Sequence, residues 1–68
     1  MESQDFLVVA VGTPPADALL LATTHQCVGY YTGIPPIYAA QAQAEGWTLP
    51  CVITQSLETG AIIAWKAV

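Results

Sequence analysis

Apolar residues run along this chain in two different periods, and each period predicts a different kind of element. Residues 6–11 read Phe-Leu-Val-Val-Ala-Val, apolar at every position. A strand of that kind needs cover on both faces, so it is expected at the centre of a sheet. Gly12 ends it. The next stretch, Thr13-Pro14-Pro15-Ala16-Asp17 followed by an apolar run to Ala22, has the form of a helix start. Thr13 can cap, proline is at home in the first turn, and Asp17 favours the positive end of the helix dipole. A helix over residues 14–24 is predicted. Leu19, Leu20 and Leu21 leave a strand as the alternative there.

Residues 27–31, Cys-Val-Gly-Tyr-Tyr, predict a second strand, stopped by Thr32 and Gly33. Pro35 and Pro36 then open a second helix over residues 37–45, with Gly46 placed to end it in the left-handed conformation. Ile37, Ala40, Ala44 and Trp47 follow the spacing of a buried stripe, leaving Gln41 and Glu45 on the wet side. The last third predicts a hairpin. Its strands are residues 50–55 and 61–67, joined by a type I turn that Gly60 closes at positive φ. Strict alternation would put Ile63 and Trp65 on one face, and Ile62, Ala64 and Lys66 on the other.

The predicted order is β-α-β-α-β-β, an α/β (α+β) class fold with one small mixed sheet in a single domain of residues 1–68. Were the first helix a strand, an antiparallel sheet with one helix across it would replace that arrangement.

Composition changes this picture in one respect. Apolar residues make up 54% of 68 residues and charged residues only 9%, with mean hydropathy +0.53. A chain this short has too little interior to hide that much apolar surface. Cover by a protein partner or by a second copy of the same chain is therefore expected. A membrane is not expected to supply it. The uncharged stretch over residues 18–44 is broken by His25, Gln26, Gly29, Gly33, Pro35 and Pro36, and no window gives the roughly 20 apolar residues a spanning helix needs. The acidic start lacks the basic region of a secretory signal, so a cytoplasmic location is expected.

Charge removes another class. Lys66 is the only lysine or arginine, against Glu2, Asp5, Asp17, Glu45 and Glu58, for a net charge of −4. Phosphate neutralisation relies on Lys and Arg, so direct binding to nucleic acid is not expected.

The candidate chemistry is sparse. His25 and Cys27 stand two apart and could share a face, the minimum for an imidazole-activated thiol. The competing reading is a helix-end histidine beside a core cysteine, with no orienting third group in view. His25, Cys27 and Cys51 fall one ligand short of a structural zinc site, so no metal is expected. Val11-Gly12-Thr13-Pro14 lies between a strand and a helix but lacks a phosphate-loop pattern, and no cofactor is expected. Cys27 and Cys51 are expected reduced and buried, with a disulfide between them as the alternative.

Aromatic residues offer the better sites. Tyr30 and Tyr31, adjacent on a strand, must point to opposite faces. Tyr38 is expected near Gln41 and Glu45 on the wet face of the second helix. Tyr38, Tyr30, Tyr31 and Glu45 are the expected partner contacts, since tyrosine combines contact area with a polar handle.

Residues 37–65 are faintly similar to the second half of a thioredoxin-like domain. The points of likeness are a helix, a proline before a strand in Leu49-Pro50-Cys51, and a hairpin with a glycine turn. The β-α-β-α-β-β order agrees as well. The resemblance implies that the bond before Pro50 can be cis. Thr13-Pro14-Pro15-Ala16 stands where the family carries CxxC, and the closing helix is missing, so redox activity does not carry over.

The leading expectation is a small non-enzymatic protein-binding module, in the style of the inhibitors that phages and mobile elements direct against host machinery. The alternatives are a thiol-dependent enzyme or thioredoxin-like remnant using Cys27 and His25, and a structural subunit of a larger assembly.

Overall fold

The computed structural model describes residues 2–68; Met1, the first residue of the expected domain, lies outside the described residues. The elements run β1 (Ser3–Val9), α1 (Pro15–Thr24), β2 (Gly29–Thr32), a single 3-10 turn (Pro36–Tyr38), α2 (Ala39–Glu45), β3 (Cys51–Ser56) and β4 (Ile62–Ala67). They form one mixed four-stranded sheet in the order β2-β1-β3-β4. β1 pairs parallel with β2 and antiparallel with β3, and β3 pairs antiparallel with β4. The predicted order and fold class are those observed.

β1 occupies the centre, as its unbroken apolar run requires, with Leu7, Val8 and Val9 essentially without exposure. Leu7 and Val9 meet Ala18 and Ala22 of α1 and Val52 of β3 on one face. Val8 meets Ala42, Trp47, Cys51, Ile53 and Ile62 on the other. The helices therefore cover opposite faces, each approaching the sheet through alanine. β1 differs from its expected span at both ends. Polar Ser3, Gln4 and Asp5 join it because each has a partner in β3. Ala10 and Val11 leave it for a tight turn: the Thr13 N–H donates to the Ala10 carbonyl at 3.1 Å, and Gly12 takes φ +91°.

Three local expectations need correction. Thr13 does not cap α1. Its hydroxyl donates to the Ala10 carbonyl at 2.7 Å, and Pro14 holds the cap position. Of the expected stripe Ile37, Ala40, Ala44 and Trp47, Trp47 is buried, but the other three are exposed and do not form the buried face of the second helix. A separate 3-10 turn precedes α2, so the helical phase restarts, and Ala42 is buried while Ile37 is 81% exposed. Gly46 does end α2, at φ +71°.

The hairpin also departs from strict alternation. Gly60 closes its turn at φ +77°, and Ser56 Oγ accepts the N–H groups of Glu58 and Thr59. A register shift between Thr54 and Gln55 then absorbs an extra residue in β4. Ile62 and Trp65 consequently share the α2 face, and Ile63 is left 57% exposed. Truncating Ile62 to alanine should cost about 2–4 kcal/mol in chemical denaturation, while Ile63→Ala should cost less than about 0.5 kcal/mol. Equal costs would mean that the strand alternates without the extra residue.

Candidate protein-binding surface

The four residues expected to contact a partner do not form one site. Tyr30 packs with the α1-side core and Tyr31 with the α2-side core, so the two do point to opposite faces. Tyr31 leans on Phe6, ring centroids 5.3 Å apart. Tyr38 is not on the wet face of α2. It lies over the core, donates its hydroxyl to the Gly60 carbonyl at 3.1 Å, and accepts from the Gln55 amide at 2.9 Å. Gln41 likewise reaches the Ile62 carbonyl at 2.8 Å. These bonds fasten the 3-10 turn and α2 to the β3–β4 hairpin.

Glu45 is exposed, but both of its oxygens are engaged. The Trp47 indole N–H donates at 2.9 Å and the Gln41 amide at 3.0 Å. The Trp47 bond chiefly, then the Gln41 bond, holds the carboxyl below its ordinary pKa. Its stabilising contribution is present above the ordinary glutamate range and lost as pH falls through the lowered value.

The thiols lie apart. Cys51 belongs to the α2-side core and Cys27 packs against the α1-side core, and both are free. The Cys27 sulfur stands 3.9 Å from the backbone carbonyl of His25, a contact that does not use the imidazole. Burial first, then the Asp5 carboxylate, pushes the Cys27 thiol above its ordinary pKa, against a smaller pull from Lys66. Burial raises Cys51 too. A raised pKa lowers the thiolate fraction, the opposite of what an activated nucleophile needs. Among the described residues, no three His, Cys, Asp or Glu side chains come close enough to share a metal ion.

Sequence reasoning missed the surface where apolar groups do gather. β1 and β2 end, and β3 begins, at the same end of the sheet, and β4 returns to it. Gly33 N–H bonds the Val9 carbonyl at 2.6 Å, and Val68 N–H bonds the Pro50 carbonyl at 3.0 Å. These bonds tie the ends of β1 and β2, and of β3 and β4, to each other at this end of the sheet. Along it stand Val11, Leu49 and Val68, exposed by 82%, 36% and 44%. Pro14 and Pro15 follow the Val11 turn, and the Leu49–Pro50 bond is cis. Val11 sits at the tip of its turn against Gly33, where an added Cβ would come within 2.8 Å of Val11 Cγ2. The opposite end carries Ser3, Gln4, Gln55 and Ser56 in register, with Glu2 bonded to Leu57 beside Glu58. One clue lay in the sequence: Val11 precedes a Gly-Thr-Pro turn, so it could not stay in the sheet.

No family model, curated protein or solved structure matches the chain. No helix among the described residues is long and apolar enough to cross a membrane.

Two outcomes test this description. Tyr38→Phe should lower stability by about 1 kcal/mol, because the hairpin loses a donor and an acceptor together; an unchanged denaturation midpoint would remove Tyr38 from that role. Alkylation of the folded protein at pH 8 should label Cys27 more slowly than a free cysteine, and Cys51 more slowly still. Labelling of Cys27 faster than the free thiol would restore it as a nucleophile.

Proposed function

We propose that the chain is a small cytoplasmic protein-binding module that works by occupying a partner's surface through the apolar row at its strand ends. The observation that carries this reading is Val11, 82% exposed on a backbone held by hydrogen bonds on both sides. A rigid turn presents an apolar side chain at little entropic cost on binding. Leu49 and Val68 extend the row, and the prolines beside them stiffen it. Contact residues of this kind contribute by excluding water across a continuous patch, whereas apolar residues scattered singly need no such explanation.

The acidic balance supports a partner with a basic surface, drawn in at long range and held by apolar contact at short range. Surface occupation is also how an inhibitor of host machinery from a phage or mobile element would act. Tyr38 is bonded to Gln55 and Gly60 at the opposite end of the sheet, and Glu45 to Gln41 and Trp47, so neither belongs to this row.

The test is binding with and without Val11. Tagged protein should capture a stoichiometric partner from a lysate of its source. Val11→Asp should weaken capture at least about tenfold, while Leu20→Asp, on the outer face of α1, should not. Both variants should unfold at the same denaturant concentration as the parent, since both side chains are exposed. Capture that ignores Val11→Asp would place the contact elsewhere, and equal loss with Leu20→Asp would mean general stickiness.

A further inference from the structure

The sheet has two edges, and they carry different risks of pairing with another chain. β2 is only four residues long and ends at Gly33, whose N–H is already bonded to the Val9 carbonyl. A very short strand is one way in which native sheets blunt an edge. β4 has no such protection from its length or sequence. Ala61-Ile62-Ile63-Ala64-Trp65 is uncharged, free of proline and rich in strand formers, the composition of a segment that adds to foreign strands when its backbone is open. The bonds at its end give its parity. Val68 N–H bonds Pro50, and the register sets Lys66 opposite Val52 and Ala64 opposite Thr54. Residues 64, 66 and 68 therefore turn their backbone groups to β3, and Trp65 and Ala67 turn theirs outward. At the extra residue the alternation breaks: the Ile63 N–H turns inward, and the Ile62 carbonyl points out. That carbonyl is filled from outside the sheet, by the Gln41 side-chain amide of α2 at 2.8 Å.

We propose that Gln41 is an edge guard: by occupying the outward carbonyl of Ile62 it closes the start of β4, so that this edge does not accept a strand from another chain. The extra residue alone would leave an outward acceptor within an apolar run, and the amide removes it. What stays open is the stretch from Trp65 to Ala67, shorter than the roughly five to six residues of an ordinary strand. Lys66 stands in the middle of that stretch, and lysine on an edge strand discourages pairing. The same Gln41 amide donates to Glu45 at 3.0 Å, which fixes the side chain in the guarding position. With charged residues at only 9% of the chain, a side-chain amide from the neighbouring helix does here what edge charges do in more polar sheets. The role differs from fastening α2 to the hairpin, which Gln41 shares with Tyr38.

The experiment separates guarding from fastening. Gln41→Met keeps the length of the side chain and removes the donor. Tyr38→Phe cuts the neighbouring tie but leaves the Ile62 carbonyl covered, so it controls for lost stability. Both full-length variants are incubated at temperatures that leave equal fractions folded, and sheet assembly is followed by thioflavin fluorescence and by pelletable protein. Gln41→Met should assemble at least about tenfold faster than Tyr38→Phe, because only there is the edge uncovered. Adding Ile63→Lys to Gln41→Met should return assembly to the slow rate without moving the denaturation midpoint, since Ile63 is exposed and a second edge charge replaces the guard. Equal rates for Gln41→Met and Tyr38→Phe would reduce Gln41 to a fastening of α2. Fast assembly that Ile63→Lys does not slow would place its origin away from β4 and overturn the proposal. Should Gln41→Met not fold, Gln41→Glu, of the same shape but without the donor, is compared with Tyr38→Phe in the same way.

Discussion

Burial of β1 on both faces is the constraint from which the rest of the structure follows. Leu7 and Val9 cannot be covered from the side that covers Val8, so the sheet needs a layer on each face. Each such side chain taken from water contributes about 1.5–3 kcal/mol. β1 also needs a neighbour on each edge. The parallel partner, β2, can be reached only by a crossover, and α1 is that crossover. Ala18 and Ala22 let it lie close. The antiparallel partner, β3, brings the hairpin, and α2 is then left to cover the opposite face through Ala42 and Trp47.

Two helices are not enough to cover both faces of four strands. α1 sits over β1 and β2. Beyond it, the same face presents Asp5, Thr54, Ala64 and Lys66, which share that side by register. Asp5 accepts from the Thr54 hydroxyl at 2.8 Å, so this part of the sheet is polar and satisfied in water. On the other face the cover is short, and side-chain bonds reinforce it. Tyr38, Gln55 and Gly60 make one tie, and Gln41 with Ile62 makes another. Residues that look like surface contacts when read from sequence are consumed in holding a seven-residue helix on its sheet.

The exposed apolar groups that remain are therefore informative by their position. Val11, Leu49 and Val68 gather where strands end, and Ile63 stands out on an open edge. The first group is a row of side chains on fixed turns, suited to contact with a different surface. The second is a single side chain turned out of the core by the extra residue in β4.

The order of elements, the central place of β1, the stop at Gly46 and the glycine turn at Gly60 were all legible in the sequence. Each depends on local chemistry: an unbroken apolar run, proline at a helix start, glycine where φ must be positive. The opposite directions of Tyr30 and Tyr31 were legible for the same reason, because strand alternation is a property of the backbone. Tertiary structure decided the phase of α2, the side taken by Ile62, and the fate of Tyr38, Gln41 and Glu45. The first turns on the three-residue 3-10 turn before α2, which resets the helical phase, and the second on one extra residue in β4, which is enough to flip a face. The partner residues of Tyr38 lie 17 and 22 positions away, and the three residues of the strand-end row come from three separate segments. No local pattern encodes such neighbours, since only the folded sheet brings Val11, Leu49 and Val68 to one end.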